Sequence, residues 1–78
     1  MEKTRLCVID DNQSLVEMIK EYFKKVPNID VTLEAKDGKE GILLIDQKKE
    51  DYDIVLLDLV MPNKDGLSVL EHIYHNHI

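Results

Sequence analysis

The sequence predicts an α/β fold: an open parallel sheet with helices on both faces. Three observations carry that expectation. Apolar runs rich in strand formers alternate with segments of helical spacing, giving the order β-α-β-α-β-α. Two of the runs, "RLCVID" and "DIVLLDL", are apolar on both faces, the habit of strands covered from both sides in a parallel sheet. The middle run alternates strictly, which makes it a half-wet strand suited to an edge. With right-handed crossovers, the strand order 2-1-3 follows, and the first and third strands become neighbours.

The first strand spans Arg5 to Asp10. From about Asn12 the period changes. Leu15, Ile19, Tyr22 and Val26 recur at helical spacing, flanked by Val16, Met18 and Phe23. Asn12 or Ser14 can cap this helix, and Pro27 stops it by biasing Val26 away from helical geometry. Glu21 and Lys25 are spaced for an i,i+4 ion pair on its wet side. In the second strand Ile29, Val31, Leu33 and Ala35 alternate with Asp30, Thr32 and Glu34. "KDGKE" reads as a turn. A helix from Lys39 to Lys49 follows, with Ile42, Leu44 and Ile45 inward and Gly41 weakening it. The third strand runs from Asp53 to Leu59. "MPNKDG" is a loop, and a last helix places Leu67, Leu70, Ile73 and Tyr74 on one side.

Bulk properties narrow the functional classes. A chain of 78 residues has room for one small domain. Its 44% hydrophobic and 33% charged content is that of a globular protein rather than a disordered one. The net charge of −6, from 16 acidic against 10 basic residues, disfavours a nucleic-acid surface and favours a cation or a basic partner. The single cysteine, Cys7, allows no internal disulfide and sits where a small buried hydrophobe belongs. Neither a signal peptide nor an apolar stretch of bilayer length is evident, so a cytoplasmic protein without a membrane partner is expected.

Two adjacent carboxylates, Asp10 and Asp11, end the first buried strand, and Asp58 ends the third. In open α/β sheets, ligands bind beyond the carboxyl ends of the strands, beside the point where chain order reverses. Two unit charges about 4 Å apart repel by ~4 kcal/mol at an effective dielectric of 20, against a total folding stability of ~5–15 kcal/mol. A hard divalent cation relieves that repulsion, and Mg²⁺ suits a site of one or two carboxylates that leaves room for a phosphate oxygen. Helix capping accounts for Asp11 or Asn12 singly. It does not account for the pair together with Asp58.

The combination of "VIDDN", "IVLLDLVMPNKDG" and the Met-Pro-x-x-x-Gly loop resembles the response-regulator receiver domain of two-component signalling, over the whole chain. The opening "MEKTRLCVIDDNQSLV" and the late "DGLSVLE" resemble in particular the regulators that initiate sporulation. The resemblance implies a flavodoxin-like (CheY-like) doubly wound sheet. It implies that Asp58 is the phospho-acceptor, taking a phosphoryl group from phosphohistidine on a histidine kinase or phosphotransferase partner. It further implies that Asp11 and Asp58, Asp10 nearby or through water, and the backbone carbonyl of Val60 hold Mg²⁺, or another divalent cation such as Mn²⁺ or Ca²⁺. Pro62 and Gly66 would shape the loop. Val60 offers no polar side chain to orient a hydrolytic water, so a long-lived phosphoryl group is expected in a complete domain.

Receivers of this family carry five strands and five helices, and this sequence supplies three of each. Residues 1–78 therefore read as a partial receiver, a truncated doubly wound sheet. It is not an enzyme in its own right, although a complete receiver catalyses its own phosphorylation from a donor. DNA would be contacted only through an effector domain that this sequence does not contain. The third strand would have an open apolar edge, which predicts a homodimer at or near that edge. A dimeric or partner-docking module that does no phosphotransfer is the alternative. There is no G-x-G-x-x-G after the first strand for a dinucleotide and no second aspartate after Asp58 for a D-x-D phosphatase. His72, His75 and His77 cluster at a chain end, where solvated side chains are expected rather than metal ligands.

Overall fold

A computed structural model describes residues 3–61 and 65–76. Strands β1 (Thr4–Ile9), β2 (Ile29–Ala35) and β3 (Ile54–Leu57) alternate with helices α1 (Gln13–Lys24), α2 (Gly38–Gln47) and α3 (Asp65–His75). The sheet is parallel, with the order β2-β1-β3 that the half-wet second strand requires. Along β1–β2 the register skips Thr32, since Leu6 faces Val31 and Cys7 faces Leu33. A short 3₁₀ turn, Lys49–Asp51, joins α2 to β3.

The two faces are covered unequally. Cys7, Ile9 and Ala35 point toward α2 and α3, where they pack with Ile45, Met61 and Val69, and with the partly buried Leu33, Val55 and Leu57. Cys7 is fully buried there, and burial pushes its thiol pKa up to about 11. Leu6 and Val8 point to the opposite face, where Val16 and Ile19 of α1 reach the sheet. Gly41 has a packing reason. A Cβ there would lie 2.8 Å from Ile9 Cδ1, so glycine lets α2 close onto β1.

Several local expectations are corrected. The inward residues of α1 are Val16, Ile19 and Phe23, whereas Met18 and Tyr22 are 67% and 64% exposed. The helix stops at Lys24, and Lys25 is its C-cap, so Glu21 pairs with Lys24 at 2.9 Å rather than with Lys25. Helix α2 starts one residue before Lys39 because Asp37 caps it, its carboxylate accepting from Glu40 N–H at 2.8 Å. Strand β3 is shorter than Asp53 to Leu59 and is not buried on both faces. Ile54 and Leu56 stay 48% and 37% exposed, beyond the cover of α1. In α3 the fully buried residue is Val69, with Ile73 beside it, whereas Leu67, Leu70 and Tyr74 are exposed. Pro62 and His77 lie outside the described residues.

Candidate functional site

Adjacent parallel strands end side by side, and that geometry assembles the site. The ladder pairs Ile9 with Leu57, so the next residues, Asp10 and Asp58, leave the sheet together. Asp58 N–H donates to the Ile9 carbonyl at 3.0 Å, and Asp10 N–H donates to the Ala35 carbonyl at 3.0 Å. The ends of all three strands are thereby tied at one rim. One carboxylate oxygen from each of Asp10, Asp11 and Asp58 lies within 4.8 Å of the others.

The three aspartates have different surroundings. Asp10 continues the alternation of β1 and is only 6% exposed, and its Oδ1 accepts from Asn12 N–H at 2.9 Å. Asp11 points to solvent. Asn12, not Asp11, is the α1 cap, its side-chain oxygen accepting from Leu15 N–H at 3.1 Å. Asp11 is left without that structural duty. Asp58 is half-buried, and its Oδ1 accepts from Val60 N–H at 2.8 Å. Val60 adjoins the site through its backbone, while its side chain is 87% exposed.

Gly66 holds the far side. A Cβ at this position would collide with the Asp58 carbonyl and stand 2.5 Å from Leu59 Cα. Only glycine lets the first turn of α3 lie against the end of β3. The start of β3 is fixed as well, by the Arg5 guanidinium on Asp53 at 3.1 Å and by Arg5 N–H on the same carboxylate at 2.8 Å. These hydrogen bonds hold the Asp53 carboxyl below its ordinary range.

The donor set fits a hard divalent cation. It is all oxygen, it concentrates negative charge, and one of its carboxylates is buried without a basic partner among its described contacts. Asp10, Asp11 and Asp58 of the sequence expectation are thus brought together. His72 is not a solvated end residue. Its Nε2 lies 2.8 Å from Asp46 Oδ1 and joins α3 to α2, a contact between residues far apart in sequence that no local pattern announces.

The response regulator receiver domain model matches residues 6–78. A protein-glutamate methylesterase/protein-glutamine glutaminase 1 from Oleidesulfovibrio alaskensis is 38% identical over 69 residues, covering 88% of this chain and 18% of that protein. The Borrelia burgdorferi CheX-CheY-BeF3-Mg²⁺ complex superposes with a TM-score of 0.84 at 25% identity, covering 96% of this chain and 55% of the other. The complex of the CheA3 P1 domain with CheY6 from R. sphaeroides gives 0.74 at 29% identity, covering 92% and 55%. The chain spans about half the length of these structural relatives.

Proposed function

The chain belongs to the response regulator receiver family, and from that premise we propose that it accepts a phosphoryl group on Asp58 in a Mg²⁺-dependent step. The observation that carries this reading is the convergence of Asp10, Asp11 and Asp58 within 4.8 Å at the carboxyl ends of neighbouring strands. Asp10 and Asp11 would hold Mg²⁺ with Asp58 and the Val60 carbonyl. When bound, the ion neutralises charge between the carboxylates and an incoming phosphoryl group. The Val60 N–H fixes Asp58 Oδ1, which orients the carboxylate and leaves its other oxygen to attack. A new O–P bond forms to Asp58 as the N–P bond of the donor phosphohistidine breaks, and the electron pair returns to the imidazole.

The partners of this reading are a histidine kinase or phosphotransferase protein. A relative in complex with the P1 domain of CheA3 supports that class. A second copy of the chain is the other partner of this reading, for which the apolar β3, paired among the described residues with β1 alone, is the support. Control of sporulation or of transcription is the setting suggested by "MEKTRLCVIDDNQSLV" and "DGLSVLE". No helix among the described residues is long and apolar enough to cross a membrane, and the site of action in this reading is the cytoplasm. In a complete domain the chain's own aspartates catalyse the transfer from a donor.

Incubation with phosphoramidate, whose P–N bond mimics phosphohistidine, and Mg²⁺ tests the reading by intact mass. One base-labile phosphoryl group on the wild type and none on Asp58→Asn is the expected result. A chain that binds Mg²⁺ by calorimetry yet takes no phosphoryl group overturns phospho-acceptance and leaves the docking module.

A further inference from the structure

Strand β3 carries no side-chain pattern that fixes its place along β1. Its four residues, Ile54, Val55, Leu56 and Leu57, are all aliphatic, and they pair in order with Leu6, Cys7, Val8 and Ile9. A slip by one residue turns every side chain of a strand to the other face. Here it would only replace Val55 and Leu57 by Ile54 and Leu56 on the core side, so the apolar pattern opposes it weakly. The acidic end of the strand opposes the native alignment outright. Asp10 and Asp58 leave the sheet together, and like charges set side by side repel. Yet each residue of slip would move the Asp58 carboxylate by ~3.3 Å, where a functional constellation tolerates about 0.5 Å.

The opposite ends of the same two strands supply the missing preference. Arg5 stands five positions before Asp10, and Asp53 stands five before Asp58. The intervals are equal, so setting Asp53 beside Arg5 sets Asp58 beside Asp10. Arg5 Nε and Nη2 donate to the Asp53 carboxylate at 3.2 and 3.1 Å, a forked contact that a lysine cannot make. Arg5 N–H donates to the same carboxylate at 2.8 Å, and Asp53 N–H donates to the Arg5 carbonyl at 2.8 Å. Arg5 Nη1 donates to the carbonyl of Glu50 in the 3₁₀ turn. That turn is itself anchored, because Thr32, the residue that the β1–β2 register skips, donates its hydroxyl to the Asp51 carbonyl at 2.7 Å. Arg5 thus fixes β3 at two points, a carboxylate and a carbonyl, and a slip of ~3.3 Å in either direction breaks both sets of hydrogen bonds.

We infer that Arg5 is a positioning residue for the acidic site: its fork on Asp53 selects the one register of β3 that presents Asp58 to Asp10 and Asp11. The inference rests on the proposed function only in taking Asp58 as the reacting carboxylate. Its consequence is a link between the two ends of the sheet. Without the fork, β3 samples slipped registers in which Asp58 stands beyond the rim or inside the ladder. A divalent cation held by all three aspartates binds the aligned register alone. Its apparent affinity therefore falls with the fraction of time β3 is aligned, and a high concentration of the cation restores alignment. A substitution that merely weakens the fold has neither effect.

Three measurements on the intact chain test the link in Arg5→Met: Mg²⁺ calorimetry, amide exchange in EDTA, and phosphoryl uptake from phosphoramidate. Phe23→Leu is the control, since Phe23 packs under α1, opposite the face that Arg5 shares with Cys7 and Ile9. Arg5→Met is expected to bind Mg²⁺ about tenfold more weakly, the loss that corresponds to an aligned fraction of about one tenth. Its Asp58 amide, which donates to the Ile9 carbonyl in the wild type, exchanges several-fold faster relative to the amides of β1. Phosphoryl uptake falls at limiting Mg²⁺ and returns at saturation. Phe23→Leu shifts the urea midpoint and none of these three. Asp53→Asn, which loses the charge and keeps an oxygen for Arg5 N–H, shows the same effects in smaller measure and carries the test where Arg5→Met does not fold. Mg²⁺ affinity and Asp58 exchange that match the control overturn the inference, as does a loss of uptake that saturating Mg²⁺ leaves in place. A wild type that binds Mg²⁺ but takes no phosphoryl group defeats the proposed function instead, and calorimetry and amide exchange still decide for or against the fork.

Discussion

Replacing Asp58 by asparagine has two consequences of opposite sign, and together they test the metal reading of the site. Carboxylate oxygens of Asp10, Asp11 and Asp58 lie within 4.8 Å of one another. At that distance and an effective dielectric of 20, two unit charges repel by about 3.5 kcal/mol. Asp58 is half-buried and Asp11 exposed, so solvent screening reduces the part that Asp58 contributes to about 1 kcal/mol. The asparagine side chain keeps an oxygen that can accept from Val60 N–H, so the loop contact survives. Without divalent cations, Asp58→Asn should therefore be more stable than the wild type. In a domain of this size, ~1 kcal/mol raises Tm by about 4–8 °C. With Mg²⁺ at about a hundred times its Kd, the wild type gains ~2.7 kcal/mol by mass action, whereas the variant gains well under 1 kcal/mol. Thermal unfolding in EDTA and in Mg²⁺, followed by circular dichroism, reads both effects. A variant less stable than the wild type in EDTA, or one with an undiminished Mg²⁺ response, would refute the reasoning. In the first case the aspartates do not repel, and in the second Asp58 is not a ligand.

Two further predictions follow from the ends of β3. Gly66→Ala forces a backbone collision with Asp58 and Leu59, so it should cost about 1–3 kcal/mol and weaken Mg²⁺ binding together. Gly41→Ala presses on the buried Ile9 side chain rather than on backbone and gains up to ~1 kcal/mol of helix propensity in part compensation, so it should cost less than Gly66→Ala and leave Mg²⁺ affinity unchanged. Urea unfolding and calorimetry check the pair, and equal effects of the two would count against Gly66 as the residue that positions Asp58. Arg5 lowers the folded-state pKa of Asp53, so the contribution of Asp53 is present above the unfolded value of ~3.9 and is lost as pH falls through the folded value. The urea midpoint of Asp53→Asn should lie below that of the wild type at neutral pH and converge with it in acid. A gap independent of pH would contradict the ion pair.

The sheet order was legible because one strand alternates and two do not, and β2 does lie beside β1 at an edge of the sheet. The orientation of α1 was not. Tyr22 and Phe23 are adjacent aromatics about 100° apart on the helix, and the crossing of α1 over the sheet, a tertiary fact, decides that Phe23 goes in. Apolarity on both faces of β3 was legible as composition and misleading as burial. Ile54 and Leu56 face the side where α1 does not reach them. At the site, strand order alone implied that Asp10, Asp11 and Asp58 share one rim. Sequence could not divide their surroundings, because the pleat of β1 turns Asp10 inward and leaves Asp11 in solvent. The link from His72 to Asp46 depends on the packing of α2 against α3, which no local spacing encodes.

Strand β3 is the shortest in the sheet, yet it carries Asp58, and this places an unusual demand on its neighbours. A four-residue strand has few ladder bonds to hold it, and each contributes only about 1 kcal/mol. The chain meets the demand by holding both ends. Arg5 grips Asp53 with its backbone and its guanidinium, and the first turn of α3 abuts Asp58 and Leu59 at a contact that only glycine permits. Between these clamps, β1 fixes the register that brings Asp58 beside Asp10. The acidic site is thus a property of β3 being held from its start and its finish.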